Sequence, residues 1–163
     1  MAELRWSILC YRGCVDKFSN MLSLLDVTDE ITIEAIMDPV PENPSVTLNL
    51  QLVSLWRRSE VEQPEKLWST FTVRMPDGNI FLAAEPLEID LESNSRTRLI
   101  FRIQAIPFAG IGIYWFIIGA ANRPDGPFEP AAMVPLEVKL REVASISPEQ
   151  PSESIPASAP ESS

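Results

Sequence analysis

The chain has 163 residues, 45% of them hydrophobic and 22% charged, with 23 acidic against 13 basic side chains and a net charge of −10. That length and apolar content suit one domain with a sizeable core, and the negative surface argues against nucleic acid or an anionic membrane as partner. Histidine is absent, which excludes Ser-His-Asp and Cys-His nucleophile systems and any His-ligated zinc or haem within the chain.

The N-terminal "MAELRWSILCYRGC" interrupts its apolar run with Glu3 and Arg5 and has no small-x-small cleavage site. It is therefore not expected to direct export, and a cytoplasmic location is expected. Cys10 and Cys14 are four residues apart with no second pair to complete a zinc site. On a strand they stand about 13 Å apart, too far for a disulfide, so both are expected as free thiols. "VDKFSNMLSLLDV" is ambiguous between a strand and one short helix.

Strand patterning then dominates. In "VTLNLQL" Val46, Leu48, Leu50 and Leu52 alternate with polar residues, and the phase slips at Val53, predicting a bulge or change of sheet at Leu52–Val53. "STFTVRMPDGNIFLAA" reads as a hairpin: Phe71, Val73 and Met75 share one face, and Pro76-Asp77-Gly78-Asn79 makes the turn. Leu87, Ile89 and Leu91 alternate with Glu88, Asp90 and Glu92; Leu99, Phe101 and Ile103 alternate with Arg102 and Gln104; Leu136, Val138 and Leu140 alternate with charges. From residue 143 the chain turns to Ser and Pro, with eleven of them in the last twenty residues. A disordered tail is expected over 143–163, and a folded domain over 1–142.

"IPFAGIGIYWFIIGAANRPDG", Ile106 to Gly126, invites three readings. A membrane helix needs about 20 apolar residues, whereas the uncharged run is shorter and contains proline and three glycines. A dinucleotide loop would need glycine where Trp115 stands. A central strand apolar on both faces fits the details, with Trp115 and Phe116 on opposite faces.

Within it, Gly112-x-Tyr114-x-Phe116 resembles the D-x-G-x-Y-x-C corner of immunoglobulin-like domains, with Gly110 in place of the aspartate and Phe116 in place of the cysteine. The resemblance implies that the Tyr114 hydroxyl bonds to backbone just upstream. It also implies that Leu50 and Trp56 lie on or beside strand B, that Trp68 begins strand C, and that "RLIFRI" and "MVPLEVKL" are strands E and G. The folded part as a whole, with "MLSLLDVTDEI", the F-x-V-x-x-PDG hairpin and PF-x-G-x-G-x-Y, is similar to an uncharacterised bacterial family of small all-β proteins. That family's second segment carries a glycine and an aromatic–acid pair which this chain lacks, and no functional residue transfers from it.

The expected architecture is an all-β, immunoglobulin-like antiparallel sandwich of about seven to nine strands. The structural corner is Gly112 and Tyr114, and Trp56, Arg57 and Arg58 form a candidate interface because Trp and Arg are enriched at binding hot spots. Glu88, Asp90 and Glu92 have spacing a calcium ion could use, although the solvated face of a strand explains the same pattern, and no metal or other cofactor is expected. The expected function is a non-enzymatic interaction module with an unidentified protein partner, of a pathway and oligomeric state the sequence does not indicate. The alternative is a small-ligand or carbohydrate-binding sandwich, assisted by calcium.

Overall fold

A computed structural model describes residues 2–34, 44–60, 64–82 and 84–141. Ten strands form two stacked sheets: β1 (Glu3–Val15), β2 (Leu22–Val27), β3 (Glu30–Glu34), β4 (Ser45–Arg57), β5 (Glu65–Arg74), β6 (Ile80–Leu82), β7 (Leu87–Leu91), β8 (Arg96–Pro107), β9 (Gly112–Ala121) and β10 (Glu129–Arg141). The first sheet has the order β2-β1-β4-β8; the second runs β3-β10-β9-β5-β6, with β7 also paired to β5. No helix occurs among the described residues, so none is long and apolar enough to cross a membrane. The segments 35–43, 61–63 and 142–163 lie outside the described residues, and with them the expected tail.

Alternation places the core. Leu50, Leu52 and Phe101 from the first sheet meet Phe71, Val73, Tyr114, Phe116, Ile118, Leu136 and Val138 from the second, each at most 4% exposed. At its centre the Phe71 ring lies 5.1 Å from Phe101, edge on, and 5.9 Å from Phe116. Full burial of each such side chain stabilises the fold by about 2–3 kcal/mol, and edge-to-face contact between rings adds to it.

Several sequence expectations need correction. Among the described residues the strands number ten rather than seven to nine, because the stretch from Leu22 to Glu34 supplies two strands and the return from the Pro76 turn is split into β6 and β7. The sheets are not wholly antiparallel: β3 crosses from the first sheet to the second and lies parallel to β10, with Ile31 opposite Val138. "VDKFSNMLSLLDV" is neither helix nor single strand but a turn at residues 17–19 followed by β2. Leu87 stands 40% exposed at the sheet margin while Ile89 and Leu91 are buried, and Leu140 is 45% exposed near the end of β10.

The bulge in β4 also falls elsewhere. The β4–β8 register shifts between Thr47 and Leu50, with Asn49 in the left-handed region at φ 51°, not at Leu52–Val53. Leu52 and Val53 both read as apolar because β4 is covered on both faces. The cover on the outer face is the β1–β2 hairpin. Its register places Ile8 opposite Val53 and Cys10 opposite Gln51, and the hairpin then bends over the sheet. The Gly13 amide donates to Gln51 Oε1 at 2.8 Å, and a Cβ on Gly13 would stand 3.3 Å from Val53 Cγ2. At the turn, Arg98 on β8 donates to Asn20 Oδ1 at 2.9 Å and to the Asn20 carbonyl at 3.1 Å. Cys10 and Val53 are fully buried beneath this strap. Cys10 and Cys14 are free thiols, the first buried and the second exposed.

Candidate functional site

Four places carry the sequence's candidate residues. The first is the turn from β8 to β9. Gly112 has φ 135°, which L side chains rarely adopt, and a Cβ there would stand 3.3 Å from Cβ of Pro76 in the neighbouring hairpin turn. Two residues on, Tyr114 is fully buried. Its hydroxyl accepts a hydrogen bond from the Ala109 amide at 2.9 Å and donates one to the Gly110 carbonyl at 2.9 Å. Burial pushes the phenol above its ordinary value of 10.0, because the ionised form would lose solvation and could no longer donate. This arrangement satisfies polar groups of a tight turn.

The second is the acidic run on β7. Glu88 pairs with Lys66 at 3.0 Å. Asp90 accepts the amides of Glu92 at 2.9 Å and Ser93 at 3.1 Å, and those bonds, Ser93's foremost, hold its carboxyl below the ordinary value. The carboxylates of Glu88 and Asp90 are thus engaged locally, and no group of three metal-ligating acidic or cysteine side chains gathers among the described residues.

The third begins where β4 ends. Trp56, expected at an interface, is only 1% exposed, and its indole N–H donates to Ser54 Oγ at 3.1 Å. It faces the core, because it sits opposite Leu4 and Thr97 on the inner side of the sheet. Arg57 and Arg58 do lie at the surface, and the indole beside them is that of Trp6. With Leu55, Arg5, Ser95 and Arg96 they line an open groove of about 620 Å³. Three strands build it: the start of β1, the end of β4 and the start of β8. Register sets the geometry, with Trp6 opposite Leu55 and Arg57 directly opposite Arg96. Arg5 pairs with Glu3 at 2.8 Å, and Arg58 donates to the carbonyls of Leu91 at 2.5 Å and Glu92 at 2.6 Å. The sequence singled out Arg57 and Arg58 but not Arg5 or Arg96, and only strand pairing brings them together with Trp6.

The fourth is an edge. β8 has 12 residues and, among the described residues, one strand neighbour, β4. The other edge strands are shorter, with 6 residues in β2, 5 in β3, 3 in β6 and 5 in β7. β7 reaches only the first residues of β8, where Thr97 Oγ1 donates to the Asp90 carbonyl at 2.7 Å. Farther along, Arg102 to Ala105 and the buried Phe71 border a second open groove, of about 350 Å³.

No family model matches the sequence, and no curated protein matches it. Solved structures resemble it distantly. An alkylpurine DNA glycosylase, AlkC of Pseudomonas fluorescens, bound to DNA containing an abasic site analog, shares 9% identity at a TM-score of 0.44, over 85% of this chain and 30% of the glycosylase. The N-terminal domain of PorA shares 10% identity at a TM-score of 0.29, over 83% of this chain and 98% of that domain. The chain thus spans under a third of the glycosylase it resembles.

Proposed function

We propose that the chain is an immunoglobulin-like sandwich acting as a non-enzymatic protein-interaction module, and that its partner adds a strand to the β8 edge. The fold reading is supported by strand neighbours: β4 beside β8 and β5 beside β9 beside β10 follow the order in which B pairs with E and C-F-G form the other sheet. The Tyr114 hydrogen bonds to Ala109 and Gly110 support it as well.

The observation that carries the functional reading is where β7 goes. In the constant-type arrangement the strand before E lies beside E. Here β7 pairs with β5 in the opposite sheet, and no strand among the described residues flanks β8 on that side. A long open edge presents a row of unpaired amides and carbonyls, a hazard that proteins normally blunt. An extended partner segment satisfies that row through main-chain bonds, with alternate side chains supplying specificity. The absence of histidine supports the non-enzymatic part of the reading, since general acid–base chemistry loses its commonest group.

The test is site-specific crosslinking in extract from the native host. A photo-reactive side chain at exposed Gln104 on β8 should yield one adduct that excess unlabelled protein competes away. The same group at exposed Glu137, on β10, should not yield it. Equal labelling at both positions, or none at Gln104 that is competed, would sink the edge reading.

A further inference from the structure

We infer that the groove among β1, β4 and β8 binds a small phosphate monoester whose organic part is apolar or planar. The site uses only the start of β8, apart from the Arg102–Ala105 stretch of its edge, and nothing in the interaction reading requires it. Its case begins with an electrostatic anomaly. Arg57 and Arg96 are directly opposite one another on neighbouring antiparallel strands, an arrangement in which like charges destabilise the pair; Glu3, opposite Arg57 on its other side, gives its carboxylate to Arg5 instead. Neither guanidinium has an ion pair or hydrogen bond to another described residue. In a chain of net charge −10, acidic side chains are plentiful, yet none lines this groove.

The remaining lining completes a recognition surface. Arg58 is held in place by the Leu91 and Glu92 carbonyls, and Arg5 faces the same space while paired to Glu3. The local charge is therefore strongly positive even after Glu3 is counted. Guanidinium forks match the oxygens of phosphate in bidentate geometry, and a dianion relieves the Arg57–Arg96 repulsion more fully than a monoanion. Trp6 and Leu55, opposite each other and half-buried, give the groove an apolar wall on which a ring or alkyl group can lie. A volume of about 620 Å³ falls within the range typical of small-molecule sites.

The experiment is isothermal titration of the full chain with inorganic phosphate and with phenyl phosphate at matched ionic strength, alongside thermal melts. The wild type should give saturable binding, tighter by roughly tenfold for phenyl phosphate than for phosphate, and a higher melting temperature when loaded. Arg96→Gln should melt higher than the wild type without ligand and lose the binding. That pairing of gain and loss separates a ligand site from a structural one. Trp6→Ala should keep phosphate binding and lose the preference for the phenyl ester.

No saturable heat in the wild type, or unchanged affinity in Arg96→Gln, overturns the site. Equal affinity for the two ligands overturns the organic part of the assignment.

Discussion

β8 joins two regions that treat polar groups in opposite ways. At its far end lies the Tyr114 turn, where the hydroxyl both accepts and donates a hydrogen bond within 2.9 Å and Gly112 supplies a backbone angle that other residues rarely adopt. At its start lies the arginine groove, where Arg57 and Arg96 face each other and neither has an ion pair among the described residues. The first region is what a fold needs to hold a tight connection. The second is a cost that the fold carries without an evident structural return. Unsatisfied like charges beside a half-buried apolar wall are a functional signal, whereas a satisfied buried phenol is a structural one.

Mutations should widen this contrast by carrying opposite signs. The largest effect is expected at the turn: Gly112→Ala forces a side chain into a strained φ and towards Pro76, costing about 2 kcal/mol in chemical denaturation. Tyr114→Phe should cost about 1 kcal/mol, because the half-buried Ala109 amide and Gly110 carbonyl lose a partner but can be partly rehydrated.

The same tyrosine gives a pH test. Its folded-state pKa lies above the unfolded value because burial disfavours the phenolate. Its contribution is therefore complete below the unfolded value of 10.0 and fades as the pH rises through the folded value. The stability gap between wild type and Tyr114→Phe should shrink in melts above that pH. A gap unchanged by alkali would contradict the buried donor.

The smallest effect should come from the other end. Arg96→Gln is expected to raise stability by about 0.5 kcal/mol in ligand-free protein, the scale of one cross-strand charge repulsion. A loss there would mean that the guanidinium has a structural duty, and the contrast between the two ends would collapse.

Much of the scaffold was legible because sheet faces write themselves into sequence with a period of two. Leu48, Leu50 and Leu52, then Leu99, Phe101 and Ile103, are buried as their alternation predicts. The motif Gly112-x-Tyr114 was legible too, since a glycine with positive φ and a hydroxyl reaching a few residues upstream are local matters. Misreadings arose where a second layer intervened. Val53 and Cys10 face outward, yet the bent β1–β2 hairpin buries them, and no pattern within β4 announces a cover supplied from 40 residues away. Trp56 looked like an interface residue by its neighbours Arg57 and Arg58, but strand alternation turns it inward.

By itself, then, the sequence determined an all-β chain, its core faces, its Tyr114 turn and the loss of histidine-based chemistry. Those depend on residue type and on spacing over a few positions. The tertiary structure alone decided that β7 joins β5 and leaves β8 open, and that Arg57 meets Arg96 beside Trp6. Pairing between distant strands is set by packing and register summed over the whole sheet, and that sum cannot be read from any one segment.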